Sequence, residues 1–371
     1  MSCMTKLQRV LQTFKHGNID RLAIYDKIHN IELIEHVAGT KLTGKNAEDV
    51  TCMALGNLCD MVRHVAIPYR LDEYTQRDED EFVYNISWYT KDITQHPFKS
   101  EEGACELVKR DIDRLNACIE KEQYCPELSW HLQLFGEDQV YPEDLNNEFR
   151  RIQEKMDGTI MVAPEFFDGI GPLSNRYDYT YFIYLLHDYP ELMGELLDTY
   201  IDYQLFRIES FDSTLTPVAL ISTAIAGTSG LMYSPDFIKR EYFSRMQVLH
   251  QRLKQKGYYV IVESDGDNRL IFDDFIKTGI EAYTPLERTS HMNIEEIKKQ
   301  YPLLVLCQEI DSTHLLPFGS REEVLEEVKR VIGVAETYGG VFMGSCGDIH
   351  PQVKLENALA MYETTCQYCF S

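Results

Sequence analysis

A chain of 371 residues with 44% hydrophobic side chains can bury a large core, and its length suits a β/α barrel with insertions. Its formal net charge of −24, with no basic cluster along any helix face, argues against nucleic acid or anionic membrane as a partner, since both would be repelled at long range. Apolar runs such as Leu303–Cys307 are too short to span a bilayer, Met1–Gln12 shows no signal-peptide pattern, and the ten scattered cysteines read as reduced thiols, so a cytoplasmic enzyme is expected.

Short apolar runs of strand length alternate with amphipathic stretches, the pattern of a parallel sheet with crossover helices. Leu22–Tyr25, Val62–Ile67 and Thr159–Val162 are expected as the first three strands. Between the second and third, residues 69–150 break the repeat. There Tyr84, Ile86 and Trp88 alternate within Glu81–Thr90, which suggests a hairpin with acidic Asp78–Glu81 as its solvated tip. An excursion at that point would lie over one end of the barrel and could form a lid.

The second half is more regular. Strands are expected at Pro217–Ile225, Tyr258–Val262, Ala282–Tyr283, Leu303–Gln308 and Gly340–Met343, and helices at Pro235–Lys256, Leu270–Thr278, Asn293–Gln300 and Ser320–Thr337. Ser234-Pro235 supplies an N-cap and a proline at the first helical position, and Ser320 with Glu323 forms a capping box. Gly257, Gly279 and Gly339 stand where helices close. Eight strands in all indicate an α/β fold, a single (β/α)8 TIM barrel spanning 1–371 with the insertion between strands two and three.

Barrel enzymes carry their chemistry just past the C-terminal ends of the strands. Strand five ends in Glu263-Ser264-Asp265, strand six in Pro285-Leu286-Glu287, strand seven in Glu309-Ile310-Asp311, and strand eight in Ser345-Cys346. Glu263, Asp265 and Cys346 could therefore form a metal site with an open coordination position. Read separately, carboxylates at strand ends are equally solvated groups or helix caps, and a lone cysteine is more often a small buried hydrophobe. His64 and His350 could also face the site. Cys366 and Cys369 form a CxxC without a second pair, and Gly227-Thr228-Ser229-Gly230 lacks the lysine of a phosphate loop.

The run from Leu231 to Tyr362 resembles the uroporphyrinogen decarboxylase-like superfamily, which includes the decarboxylases and the cobamide-dependent methyltransferases. The matching pieces are Ser234-Pro235-Asp236-Phe237, Ser264-Asp265-Gly266, Thr284-Pro285-Leu286-Glu287, Leu315-Leu316-Pro317-Phe318-Gly319 and Ile349-His350-Pro351 with Glu356-Asn357. Weaker similarity reaches back through Arg21 and His96-Pro97-Phe98. The resemblance implies a TIM barrel, in agreement with the strand count.

For function the resemblance divides. The decarboxylases hold an anionic porphyrinogen with an arginine-rich segment and an essential aspartate after strand one. Here Asp26 could stand in for that aspartate, but the arginines are missing from Ala23–His29. The methyltransferases bind zinc through a His-x-Cys pair at strand five and a cysteine near strand eight. Here the pair becomes Glu263-x-Asp265, with Cys346 near the third position.

The resemblance thus implies a metal-dependent methyltransferase, with zinc or another divalent metal on Glu263, Asp265 and Cys346. Glu287 and Asp311 would orient substrate or act as acid or base. Its partners would be a small methyl donor and a corrinoid supplied by a separate protein, and a homodimer is plausible from the family. The alternatives are a carboxy-lyase using Asp26 with Arg21, Arg63 or Arg70, and a tetrapyrrole or corrinoid carrier without catalysis.

Overall fold

A computed structural model describes residues 4–125, 128, 145–162 and 165–370. Its main sheet is parallel throughout and contains β1 (Ala23–Asp26), β2 (Met61–Val62), β3 (Ile160–Met161), β4 (Glu165–Phe167), β5 (Val218–Thr223), β6 (Tyr259–Ser264), β7 (Ala282–Thr284), β8 (Val305–Cys307) and β9 (Val341–Met343). The strand order is β3-β2-β1-β9-β8-β7-β6-β5-β4. The two end strands, β3 and β4, are consecutive in the chain, so the order closes on itself and leaves eight positions around a barrel. A strand stands at each expected place, but the second, expected over Val62–Ile67, is only Met61–Val62. The third is only Ile160–Met161, and a separate strand, β4, is found at Glu165–Phe167.

Alternation along the strands sorts side chains into two cores, as the pleat requires. Ala23, Tyr25, Met61, Ile160, Val218, Leu220, Ile261, Ala282, Val305, Cys307 and Phe342 fill the lumen. Their neighbours Ile24, Val62, Met161, Ala219, Ile221, Val260, Val262, Leu306 and Val341 face outward into the core beneath the helices. Val10 and Phe14 of the first helix, Lys6–Phe14, join the lumen cluster. Phe14 stacks on Tyr259 at 4.7 Å and meets Phe342 at 5.2 Å, so an amphipathic helix seals the N-terminal end of the barrel.

The helices of the second half follow their caps. Ser320 and Glu323 make the reciprocal capping box of helix Arg321–Tyr338, and Ser234 caps Pro235–Phe237, which continues through a wide π turn into Ser244–Gln255. No helix among the described residues is long and apolar enough to cross a membrane.

Between β2 and β3 lies a three-stranded antiparallel sheet, Tyr74–Arg77, Val83–Ile86 and Lys91–Gln95, followed by helices Glu101–Glu120 and Leu145–Lys155. The acidic turn Asp78–Glu81 is not the solvated tip its composition suggests. Asp78 accepts hydrogen bonds from the Phe82 amide and the Tyr84 hydroxyl, at 2.9 Å each. Buried Asp80 pairs with Arg114 at 2.7 Å and lies 3.4 Å from Arg176. Arg176, only 1% exposed at its side chain, also binds Asp111 of helix Glu101–Glu120 at 2.6 Å. These pairs fasten the excursion to the segment that follows β4. The opposite turn of this sheet, Ser87–Thr90, carries Trp88 and Tyr89 toward the barrel mouth, where both rings meet His29.

Removing the aromatic seal should be costly. Phe14→Ala is expected to lower unfolding free energy by about 3 kcal/mol or more, measured by urea denaturation. A loss under about 1 kcal/mol would show that the first helix does not plug the lumen.

Candidate active site

The lumen changes from apolar to polar within one layer. Arg63 lies two residues beyond Met61, Ser222 two beyond Leu220 and Glu263 two beyond Ile261, so all three inherit the inward direction. Glu165 pairs with Leu220 across β4 and β5 and points the same way. Arg63 joins both acids: its guanidinium donates to Glu165, with the Nε contact at 3.2 Å, and to Glu263. Ser222 donates to the other oxygen of Glu263. Beneath them Tyr25 is fully buried, and its hydroxyl has no hydrogen-bond partner. Burial and the neighbouring Glu263 push that phenol up, against the opposing pull of Arg63.

Asp265 stands one inward step above Glu263. It lies deep in the mouth yet open to it, and burial, with Glu263 and Glu287 adding, pushes its carboxyl up to about 7. Glu287 accepts from the Gly266 amide at 2.6 Å and from Ser290 at 3.2 Å. Gly266 itself has φ +81°, and a Cβ there would lie 2.6 Å from the Gly227 carbonyl oxygen, so the turn presenting Asp265 requires glycine. Strand Ile310–Asp311 pairs with Ser345–Cys346 and places Asp311 opposite Cys346. Asp311 accepts from the amides of Thr313 and His314, at 2.7 and 2.8 Å, and so shapes its own turn. Burial, with Glu287 and Asp265 nearby, pushes the Cys346 thiol up and favours the neutral form.

Asp26 is fully buried. It accepts from Ser345 Oγ at 2.6 Å, Tyr362 Oη at 2.8 Å and the amides of Lys27 and Ser345 at 2.8 and 3.1 Å. Burial still pushes its carboxyl up, to about 6, against those donors. Arg21 binds Asp60, and Arg70 pairs with exposed Asp72, so neither converges with Asp26 on one place.

The set Glu263, Asp265 and Cys346 does not fit a metal as it stands. Glu263 has one oxygen on a guanidinium and the other on a hydroxyl, and a cation there would sit against Arg63. Among the described residues no group of three or more His, Cys, Asp or Glu side chains is gathered closely enough to hold an ion.

Of the rim groups that follow, the sequence flags His64 and His350 but not His29 or Asp168. His29, after β1, binds Asp348 after β9 at 2.8 Å and lies 3.3 Å from His64, Nε2 to Nε2. His350, in contrast, turns to the Ser312 carbonyl oxygen at 2.8 Å. Asp168, immediately past β4, is fully buried, and one oxygen lies 3.3 Å from the Thr223 hydroxyl. Burial pushes its carboxyl up to about 7. Ending the third strand at Val162 hides Asp168, which the strand-end rule applied to Phe167 would find, whereas Glu165 opens β4 and is not at a strand end.

An eight-position parallel barrel with a sealed base and a rim of ionisable groups is the architecture of a TIM-barrel protein whose site lies at the C-terminal face. The chain belongs to the uroporphyrinogen decarboxylase (URO-D) family, whose profile matches residues 174–368. Among solved structures it is similar to a methyltransferase from Methanosarcina mazei, over 98% of this chain and 99% of that one, with a TM-score of 0.64 and 16% sequence identity. At that identity the likeness is one of fold. No curated protein matches the chain.

Cutting the arginine should strand two acids. Arg63→Ala is expected to destabilise the protein by about 3–5 kcal/mol, measured by urea denaturation. A loss under about 1 kcal/mol would contradict this arrangement. For Asp168 the folded carboxyl holds its proton to a higher pH than the unfolded one, so stability is lost as pH rises from about 4 through 7. Asp168→Asn should flatten that part of the stability–pH curve by up to about 4 kcal/mol. An unchanged curve would show that Asp168 does not titrate there.

Proposed function

We propose that this chain is a methyltransferase that moves a methyl group from a small methylated donor to a reduced corrinoid carried by a separate protein. The observation that carries this reading is the capture of Arg63 between Glu165 and Glu263. A porphyrinogen with many carboxylates needs several uncommitted cations at the mouth. Here the arginine is already neutralised, and Lys27 stands against Asp265 and Asp348. An acidic mouth repels a polycarboxylate and tolerates a neutral or cationic donor. The fold shared with the methanogen methyltransferase supports the same choice.

In this reading the donor enters the mouth above the Arg63 layer, with Asp265 and Glu287 beside it. Arg63 fixes Glu263 and Glu165 so that the floor keeps its shape while the methyl group transfers in line between donor atom and acceptor. Asp265, which titrates near neutrality, faces the donor. The metal implied by the resemblance has no step here. Elemental analysis of the wild type beside Glu263→Ala would restore the metal role if it found about one zinc per chain, lost in the variant.

The decisive assay mixes the protein anaerobically with reduced cobalamin and a panel of methylated alcohols, ethers and amines, and follows formation of the methylated corrinoid by absorbance. We expect enzyme-dependent methylation with at least one donor, reduced at least 100-fold in Asp265→Asn. Enzyme-dependent release of CO2 from uroporphyrinogen, with no methylation from any donor, would overturn the reading in favour of a carboxy-lyase.

A further inference from the structure

The long helix Pro190–Glu209 hides a cation without a counter-charge. Tyr200, Gln204 and Arg207 follow one another at helical spacing and so share one stripe of that helix. Tyr200 and Gln204 are fully buried, and Arg207 is only 4% exposed. The stripe faces β4, where the Arg207 guanidinium lies over the Phe166 ring, 5.5 Å from its centroid. Phe166 points outward from the barrel into the core beneath the helices. This place therefore lies behind the wall of the mouth and is separate from the site described above.

The other deeply buried arginines have acids: Arg9 binds Asp60, and Arg176 binds Asp111. Arg207 pairs with no acid among the described residues; its contacts are Phe166 and Gln204, whose Oε1 accepts from Nη1 at 2.9 Å. That bond fixes the amide, since turning it over would set an NH2 group against the guanidinium. Three buried atoms are then left without a hydrogen-bond partner: Gln204 Nε2, Arg207 Nε and Tyr200 Oη. Burial pushes the Tyr200 phenol up against the pull of Arg207, so it keeps its proton and can donate. Asp168 acts on Tyr200 less strongly than Arg207 does, and it bonds to Thr223.

Such a set has one chemical complement. Buried polar groups are almost always hydrogen-bonded, and a buried charge is costly unless it is paired. Here the amide and guanidinium positions are donors only, the phenol can act as one, and the site as a whole is positive. A water would bring donors of its own to a place with little to accept them. We propose that Tyr200, Gln204 and Arg207 form a buried site for a small monovalent anion of chloride size, held between helix Pro190–Glu209 and β4. The ion must be small, because all three side chains are closed off from solvent and a larger oxyanion would have to displace them. Bound there, it supplies the counter-charge of Arg207 and fastens the helix to the strand that carries Glu165. Its role is therefore to support the mouth, and the assignment does not depend on the methyl-transfer reading.

Thermal unfolding of the full chain in sodium chloride and in sodium gluconate, at equal ionic strength, tests the site. Exchanging gluconate for chloride should raise the Tm of the wild type by about 2 °C or more beyond the change seen in Arg207→Met. The variant's own change is the reference because the two salts also act on the whole protein surface. Gln204→Leu and Tyr200→Phe each remove one donor and keep the charge. They should move the midpoint of a chloride titration to about tenfold higher concentration, and they carry the test if Arg207→Met does not fold. Crystals grown with bromide in place of chloride should show an anomalous peak among the three side chains. The absence of that peak overturns the proposal. A bromide found there while wild type and variants respond alike to chloride marks an adventitious ion only, and overturns it as well.

Discussion

The contact of Arg63 with Glu165 and Glu263 is the constraint on which the mouth of this barrel depends. Below it the lumen is a packed apolar column; at its level Ser222 joins the ion pairs, and Asp265 stands one step above. Desolvating an arginine is expensive, and two carboxylates around it repay that cost only with good geometry. The three residues come from β4, β6 and the end of β2, so their pairing draws strand ends from different parts of the barrel into one register. The surplus negative charge left on this layer then acts on its neighbours. Burial is the larger cause, but Glu263 adds to the raised proton affinity of Asp265 and of the Tyr25 phenol, while the Cys346 thiol is pushed up by burial with Glu287 and Asp265 nearby.

Two kinds of carboxylate share the rim. Asp26, Asp311 and Glu287 accept hydrogen bonds from backbone amides and hydroxyls and so hold the loops in place. Asp265 has no such assignment and is open to the mouth, which is the condition a group needs to exchange protons with a ligand. The excursion between β2 and β3 supplies the remaining wall. Arg176, Asp111 and Asp80 anchor its base, leaving the aromatic turn at Trp88 and Tyr89 to cover His29.

The barrel was legible in the sequence because each βα unit announces itself locally, through an apolar run, a cap such as Ser320 and a closing glycine such as Gly339. The third strand was legible only to Val162, since Pro164 interrupts the run before Glu165. Within the candidate site, the carboxylates at strand ends could be located but not ranked. Asp26 and Asp265 look alike as letters, and what separates them is Ser345 and Tyr362, more than 300 residues further along. Arg63, Glu165 and Glu263 lie about a hundred residues apart in turn, so no spacing rule could join them. The acidic turn at Asp80 misled for the same reason, because its arginine partners lie on helices elsewhere.

The seal made by Val10 and Phe14 has a kinetic meaning. A barrel plugged at its base has one door, and everything that reaches the Arg63 layer must come and go through the same opening. A small donor and a bulky acceptor cannot use such a door in either order, since the larger one, once seated, traps whatever lies beneath it and bars whatever does not. Under the proposed methyl transfer, a barrel with one door would set a compulsory sequence, small donor first and large partner second, with the partner withdrawing before the demethylated product escapes.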